Sequence, residues 1–138
     1  MGYRSEVAAV ISKETFDLYN TKVMEEKVEN ALNWADDIWK AEDDNLDTYY
    51  LIKWSWIKWY DEEPGAYRSV SLFMEVMRES ERYKFLRMGE ESGDDQCDIG
   101  SDWEWNCPFE VETERQIYTR VPGDAEKAED DIPEVDDE

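Results

Sequence analysis

Carboxylates dominate the side chains in this sequence that could do chemistry. Asp and Glu number 37 against 15 Lys and Arg, no histidine is present, and the formal net charge is −22 over 138 residues. Paired carboxylates can serve as general acid and base in glycoside hydrolysis. With so many of them, some pair always falls at a suitable spacing, so spacing alone selects nothing. Nucleophilic catalysis lacks its usual base, because no histidine is available to activate a serine or thiol. An acidic setting also disfavours the thiolates of Cys97 and Cys107. The run Asp94, Asp95, Asp98, Asp102 and Glu104 offers oxygen ligands, but Cys97 interrupts the calcium-loop pattern. No glycine-rich phosphate loop is present. These features argue against an enzyme and predict no cofactor and no metal.

The remaining chemistry is recognition. Glu25, Glu29, Asp36 and Asp37 lie on one face of a helical pattern. Asp61, Glu62 and Glu63 form an acidic turn, and Glu110, Glu112 and Glu114 alternate along a strand pattern. Such rows can occupy cationic contacts that otherwise hold nucleic-acid phosphates. A solvated acidic surface with no partner is the competing reading. Arg4, Lys58 and Arg87, with Lys53 and Arg68 nearby in the pattern, offer an alternative anion pocket with Trp or Tyr stacking on a base. Internal pairing with the surrounding carboxylates weighs against it. The aromatic band YYLIKWSWIKWY, Tyr49 to Tyr60, reads mainly as core. Trp54 and Trp56 are expected inside, and Trp59 and Tyr60 are expected as partly exposed anchors for a partner.

The elements that must position these residues follow from periodicity. Tyr3 to Ile11 reads as a strand covered on both faces, because Val7 to Ile11 is continuously apolar. Ser12 is a helix N-cap with Glu14 in the first turn. A long helical stripe follows through Phe16, Tyr19, Val23, Val28, Ala31, Ala35 and Ile38, with Trp39 widening it. In the aromatic strand the apolar phase shifts after Trp56. A β-bulge at Trp56-Ile57 or a sheet covered on both sides explains the shift. Tyr67 to Met77 reads as a second amphipathic helix and Tyr83 to Met88 as a third strand. Trp103 and Trp105 suggest a short strand, and Phe109 to Val121 a single half-buried one. The expected architecture is α+β: a two-layer sandwich of a mostly antiparallel sheet with two helices on one face, in the order β-α-β-α-β-β-β. Residues 1–121 form the domain and 122–138 an acidic, flexible tail.

No run is long and apolar enough for a membrane span, and the N-terminus reads neither as a signal peptide nor as a myristoylation site. The thiols are expected to be reduced. The expectation is therefore a soluble intracellular protein.

Gly2 to Ser5 (GYRS), Lys58 to Tyr60 (KWY) and Arg87 to Glu90 (RMGE), followed by an acidic loop, form a set. In these the chain resembles a family of small, acidic, mostly uncharacterised proteins encoded by tailed bacteriophages. The resemblance spans most of the folded part and carries no catalytic residues. It implies an accessory protein acting in the bacterial host cytoplasm. The expectation is an inhibitor of a basic host protein, such as a nucleic-acid-binding defence or nuclease component, acting by charge mimicry, with no direct nucleic acid and no membrane as partner. The alternatives are a sponge for a nucleotide signal and a structural protein of the virion.

Overall fold

The structure, a computed structural model, describes residues 4–59, 67–91, 94–102, 104–113 and 117–133. Its centre is β1 (Ser5–Ser12), flanked by β3 (Thr48–Ile57) and β4 (Lys84–Gly89), both antiparallel to it. With β2 (Asp37–Glu42), β5 (Asp95–Ile99) and β8 (Glu126–Lys127) the sheet has six strands in the order β5-β4-β1-β3-β2-β8. The continuous run Val7 to Ile11 is fully buried. Alternation sends Val7, Ala9 and Ile11 to one face and Ala8 and Val10 to the other. Helices α1 (Lys13–Glu26) and α2 (Arg68–Arg78) cover the first face through Phe16, Tyr19, Val70, Phe73 and Met77. The chain is thus α+β, with two helices on one face of an antiparallel sheet. The opposite face carries a further layer. The hairpin of β6 (Glu110–Thr113) and β7 (Ile117–Arg120) and the turn around Trp105 seal Ala8, Val10, Leu51 and Leu86 there.

Helix α1 starts where its sequence signals place it. Ser12 Oγ accepts the Thr15 N–H at 3.2 Å, and Glu14 lies in the first turn. The long helical stripe, however, ends at Glu26. Lys27 takes a left-handed conformation, φ 59° and ψ 40°, and the Val28 N–H returns to the Val23 carbonyl. Asn30 then caps a short 3-10 helix, Ala31–Trp34, accepting from the Leu32 N–H at 2.9 Å and donating to Asn20 Oδ1 at 2.7 Å. Ile38 and Trp39 belong to β2, not to a helix. Asn30 offers the backbone a side-chain alternative to helix, and β2 gains a full ladder against β3.

The bulge in the aromatic strand is present. Ser5 pairs with Ile57 but Val7 with Trp54, so β3 holds one extra residue between Trp54 and Ile57. Its effect is to turn Trp56 outward. Trp54, Ile57 and Trp59 share the core, whereas Trp56 is 62% exposed. Trp56 is therefore not the core residue expected, and Trp59, 5% exposed, is not a surface anchor.

Two further expectations change in the C-terminal third. Phe109 to Val121 is a hairpin rather than one strand. Thr113 pairs directly with Ile117, which leaves the inward parity intact, so Phe109 and Ile117 are both buried. Trp105 lies in a turn, its backbone N–H donating to the Asp102 carbonyl, and Trp103 lies outside the described residues. The acidic segment from Pro122 is structured through 133. β8 pairs with β2, Ala128 is fully buried, and Ile132 packs on the core. Residues 134–138 lie outside the described part. At the opposite edge of the sheet, β5 exposes Asp95.

Candidate functional site: an acidic groove and a basic aromatic cleft

Among the described residues, the acidic side chains singled out in the sequence do not converge. Glu25, in the last turn of α1, and Glu29, just beyond it, are exposed. Asp36 accepts the Ser55 N–H at 2.6 Å, and Asp37 is bound by Lys127 at 2.5 Å. Glu110 pairs with Arg120 at 3.5 Å, and Glu112 is exposed, both on the hairpin across the sheet. Asp61, Glu62, Glu63, Glu114 and Tyr60 lie outside the described residues. Trp59 sits against Trp54, Phe73 and Phe85, with ring centroids 4.8 to 5.9 Å apart. Its place in the core follows from the bulge, which puts it in phase with Ile57.

What the fold does gather is a second set of carboxylates, at the end of the sheet where β1 runs into α1. Two adjoining clefts of about 740 and 600 Å³ share Lys13, Asp17 and Thr48. The first is lined by Glu14, Asp17, Asp47, Glu79 and Glu81 with Lys13 and Arg82. The second is lined by Asp17, Glu42, Asp124, Glu126 and Asp131 with Lys13 and Lys40. Nine carboxylates thus face three cations, and each cation is already engaged. Lys13 holds Asp17 at 2.7 Å, Lys40 holds Asp131 at 3.1 Å, and Arg82 holds Asp102 at 2.7 Å. The contact with Asp17 raises the Lys13 pKa. Glu14, Glu42, Asp47, Glu79, Glu81 and Asp124 make no ion pair among the described residues, and all six are exposed.

An apolar side chain projects into this groove. Leu46, at the tip between β2 and β3, is 77% exposed and has φ 66°. A bulky residue in the left-handed region is strained. The Asp43 carboxylate imposes the conformation: its Oδ1 accepts the Asn45 and Asp47 N–H groups at 2.9 and 3.0 Å. The Leu46 N–H returns to the Asp43 carbonyl at 3.0 Å. No local sequence pattern marks this groove, because its carboxylates come from α1, the β2–β3 loop, the end of α2 and the segment after Val121.

The three basic candidates separate. Arg87 is held by Asp94 at 2.9 Å, Ser5 Oγ at 3.1 Å and Gln96 at 3.2 Å on the sheet. Arg4 and Lys58 instead line one cleft of about 390 Å³ at the far end of β1 and β3, with Trp34, Asp36, Trp56 and Tyr67. Cys97 and Cys107 are unpaired thiols, and burial pushes the Cys107 pKa up. Among the described residues no group of His, Cys, Asp or Glu is arranged to hold a metal ion, and no helix is long and apolar enough to cross a membrane. Comparisons of the chain with protein-family models, with curated proteins and with solved structures each give no match.

Proposed function

We propose that the chain is an acidic accessory protein of a tailed phage. It acts in the host cytoplasm by binding a basic host protein and blocking a surface that otherwise takes nucleic acid. The observation that supports this reading is the groove at the α1 N-terminus, lined by six exposed carboxylates without ion pairs among the described residues, four of them in the same cleft as the strained, exposed Leu46. Carboxylates in that number steer a cationic surface toward the groove and substitute for phosphates in its contacts. Leu46 adds an apolar contact that water leaves on docking. The chain has no catalytic role in this account: it binds and occludes.

The test is capture of the partner from host lysate with the full chain, followed by titration of the purified partner in competition with duplex DNA. The expected result is displacement of the DNA by the chain. Its affinity should fall about tenfold or more between about 50 and 200 mM salt. The double substitution Glu79→Lys, Glu81→Lys should weaken binding by a similar factor. Affinity that is indifferent both to salt and to this charge reversal would refute the electrostatic mechanism.

A further inference from the structure

The cleft holding Arg4 and Lys58 lies at the opposite end of the sheet from the acidic groove. Ser5 pairs with Ile57 beside the cleft, and Ser12 pairs with Tyr49 beside the groove. Seven residue steps of strand separate the two ends by about 23 Å. That exceeds the ~8 Å screening length of physiological salt, so the groove's carboxylates scarcely set the potential in the cleft.

Two cations line the cleft; the Arg4 N–H donates to the Glu90 carboxylate at 2.9 Å, and the Arg4 guanidinium reaches the Trp56 carbonyl at 3.5 Å. Neither Arg4 nor Lys58 makes an ion pair among the described residues, although carboxylates outnumber cations 37 to 15 in the chain. Asp36, the acidic residue on the lining, already accepts the Ser55 N–H at 2.6 Å. Helix α2 begins at the cleft with Tyr67 as its N-cap. The first turn of the helix has no acidic residue of its own, and its Arg68 is held by Glu26 of α1 at 2.7 Å.

Three elements also present aromatic rings to this cleft. The β3 bulge turns out Trp56, 62% exposed. The 3-10 helix supplies Trp34, 37% exposed, and the α2 N-cap supplies Tyr67, 38% exposed. Partly exposed rings beside two cations match a ligand with a flat π-system and a negative charge. We infer that this cleft binds a single nucleotide, its base against the Trp56 ring and its phosphate at Arg4 and Lys58. Base–aromatic stacking contributes to such binding whatever the base. The cleft volume lies within the range of small-molecule sites. A longer strand would bring further phosphates against a chain of net charge −22, which disfavours polynucleotide as the occupant.

The test is isothermal titration calorimetry on the full chain with guanosine and adenosine monophosphate. Parallel arms use guanosine, inorganic phosphate and a single-stranded thymidine oligonucleotide. At least one monophosphate should bind with Kd below about 1 mM, and guanosine and phosphate each about tenfold or more weaker. Trp56→Ala and Lys58→Glu should each weaken the monophosphate about tenfold or more. Trp56 is mostly exposed, so its removal spares the core, and circular dichroism melts confirm that the variants fold. The Glu79→Lys, Glu81→Lys variant should bind nucleotide as the wild type does, which separates this site from the acidic groove. Absence of monophosphate binding below about 1 mM, unchanged affinity in Trp56→Ala and Lys58→Glu, or tighter binding of the oligonucleotide would each overturn the assignment.

Discussion

The Tyr50 hydroxyl donates a hydrogen bond of 2.9 Å to Asp131 Oδ2, joining the middle of the sheet to the C-terminal acidic segment. The same ring stacks on Phe16 of α1 at 3.9 Å between centroids, so helix, sheet and segment meet at one side chain. Lys40 reaches the same Asp131 oxygen at 3.1 Å. Removing residues 122–138 strips this contact, exposes the sites of Ala128 and Ile132 and bares the edge of β2. We expect the truncated chain to lose about 2–4 kcal/mol of stability, read as an earlier urea midpoint. An unchanged midpoint would mean that the segment contributes nothing to the fold.

Alkaline pH should weaken the fold through its buried tyrosines. Burial, and then the hydrogen bond to Asp98, push the Tyr83 pKa up to about 12. Tyr19 and Tyr50 are raised as well, chiefly by burial. A free tyrosine ionises near ~10, so the unfolded chain releases these protons first. The contribution is complete below about pH 10 and is lost as pH rises through about 12. Denaturant midpoints across that window should fall with pH. In Tyr83→Phe the decline should be shallower, and an equally steep decline would remove Tyr83 from the account.

Gly100 and Gly123 should respond oppositely to alanine. A Cβ on Gly100 would overlap the Glu81 carbonyl oxygen and stand 2.8 Å from its carbon, where the Gly100 N–H already bonds Tyr83 at 3.0 Å. Gly100→Ala should cost about 1–3 kcal/mol. At Gly123 a Cβ meets nothing within 4 Å, so Gly123→Ala should be neutral or stabilise by up to about 1 kcal/mol. Thermal melts of the two variants settle the comparison, and equal melting temperatures would contradict it.

Leu46 should separate stability from binding. Its left-handed backbone strains a leucine but not a glycine, and at 77% exposure little apolar burial is lost on replacement. Leu46→Gly should therefore raise stability by up to about 1 kcal/mol while weakening capture of a basic partner. A variant that is both less stable and unaltered in binding would contradict both halves of the argument.

These residues also show which parts of the molecule the sequence discloses. The buried run of β1, the Ser12 cap, the stripe of α2 and the bulge after Trp54 all depend on local chemistry, and all are visible in order along the chain. The stripe Val28, Ala31, Ala35, Ile38 is equally apolar in a helix and in what the chain adopts, so only pairing of β2 with β3 decides it. The β6–β7 turn is hidden for a related reason: Thr113 opposite Ile117 preserves the alternation, and the pattern reads straight through it. The acidic groove has no sequence signature because four separate segments build it. By contrast, the joint placement of Arg4 and Lys58 was foreseeable, since both flank strands whose ends meet. The separation of Arg87 follows from Asp94, a partner seven residues away across a hairpin.

The two ends of the strand order also bear on how the chain behaves in a crowd. An open sheet edge is a template on which another chain can add a strand. Here one edge is β5, with the exposed carboxylate of Asp95, and the other is β8, two residues long and formed by Glu126 and Lys127. A second copy approaching either edge meets charge of its own sign or too short a ladder to hold it. The acidity therefore has a physical consequence that needs no partner: charge at the edges disfavours strand addition from one copy to the next.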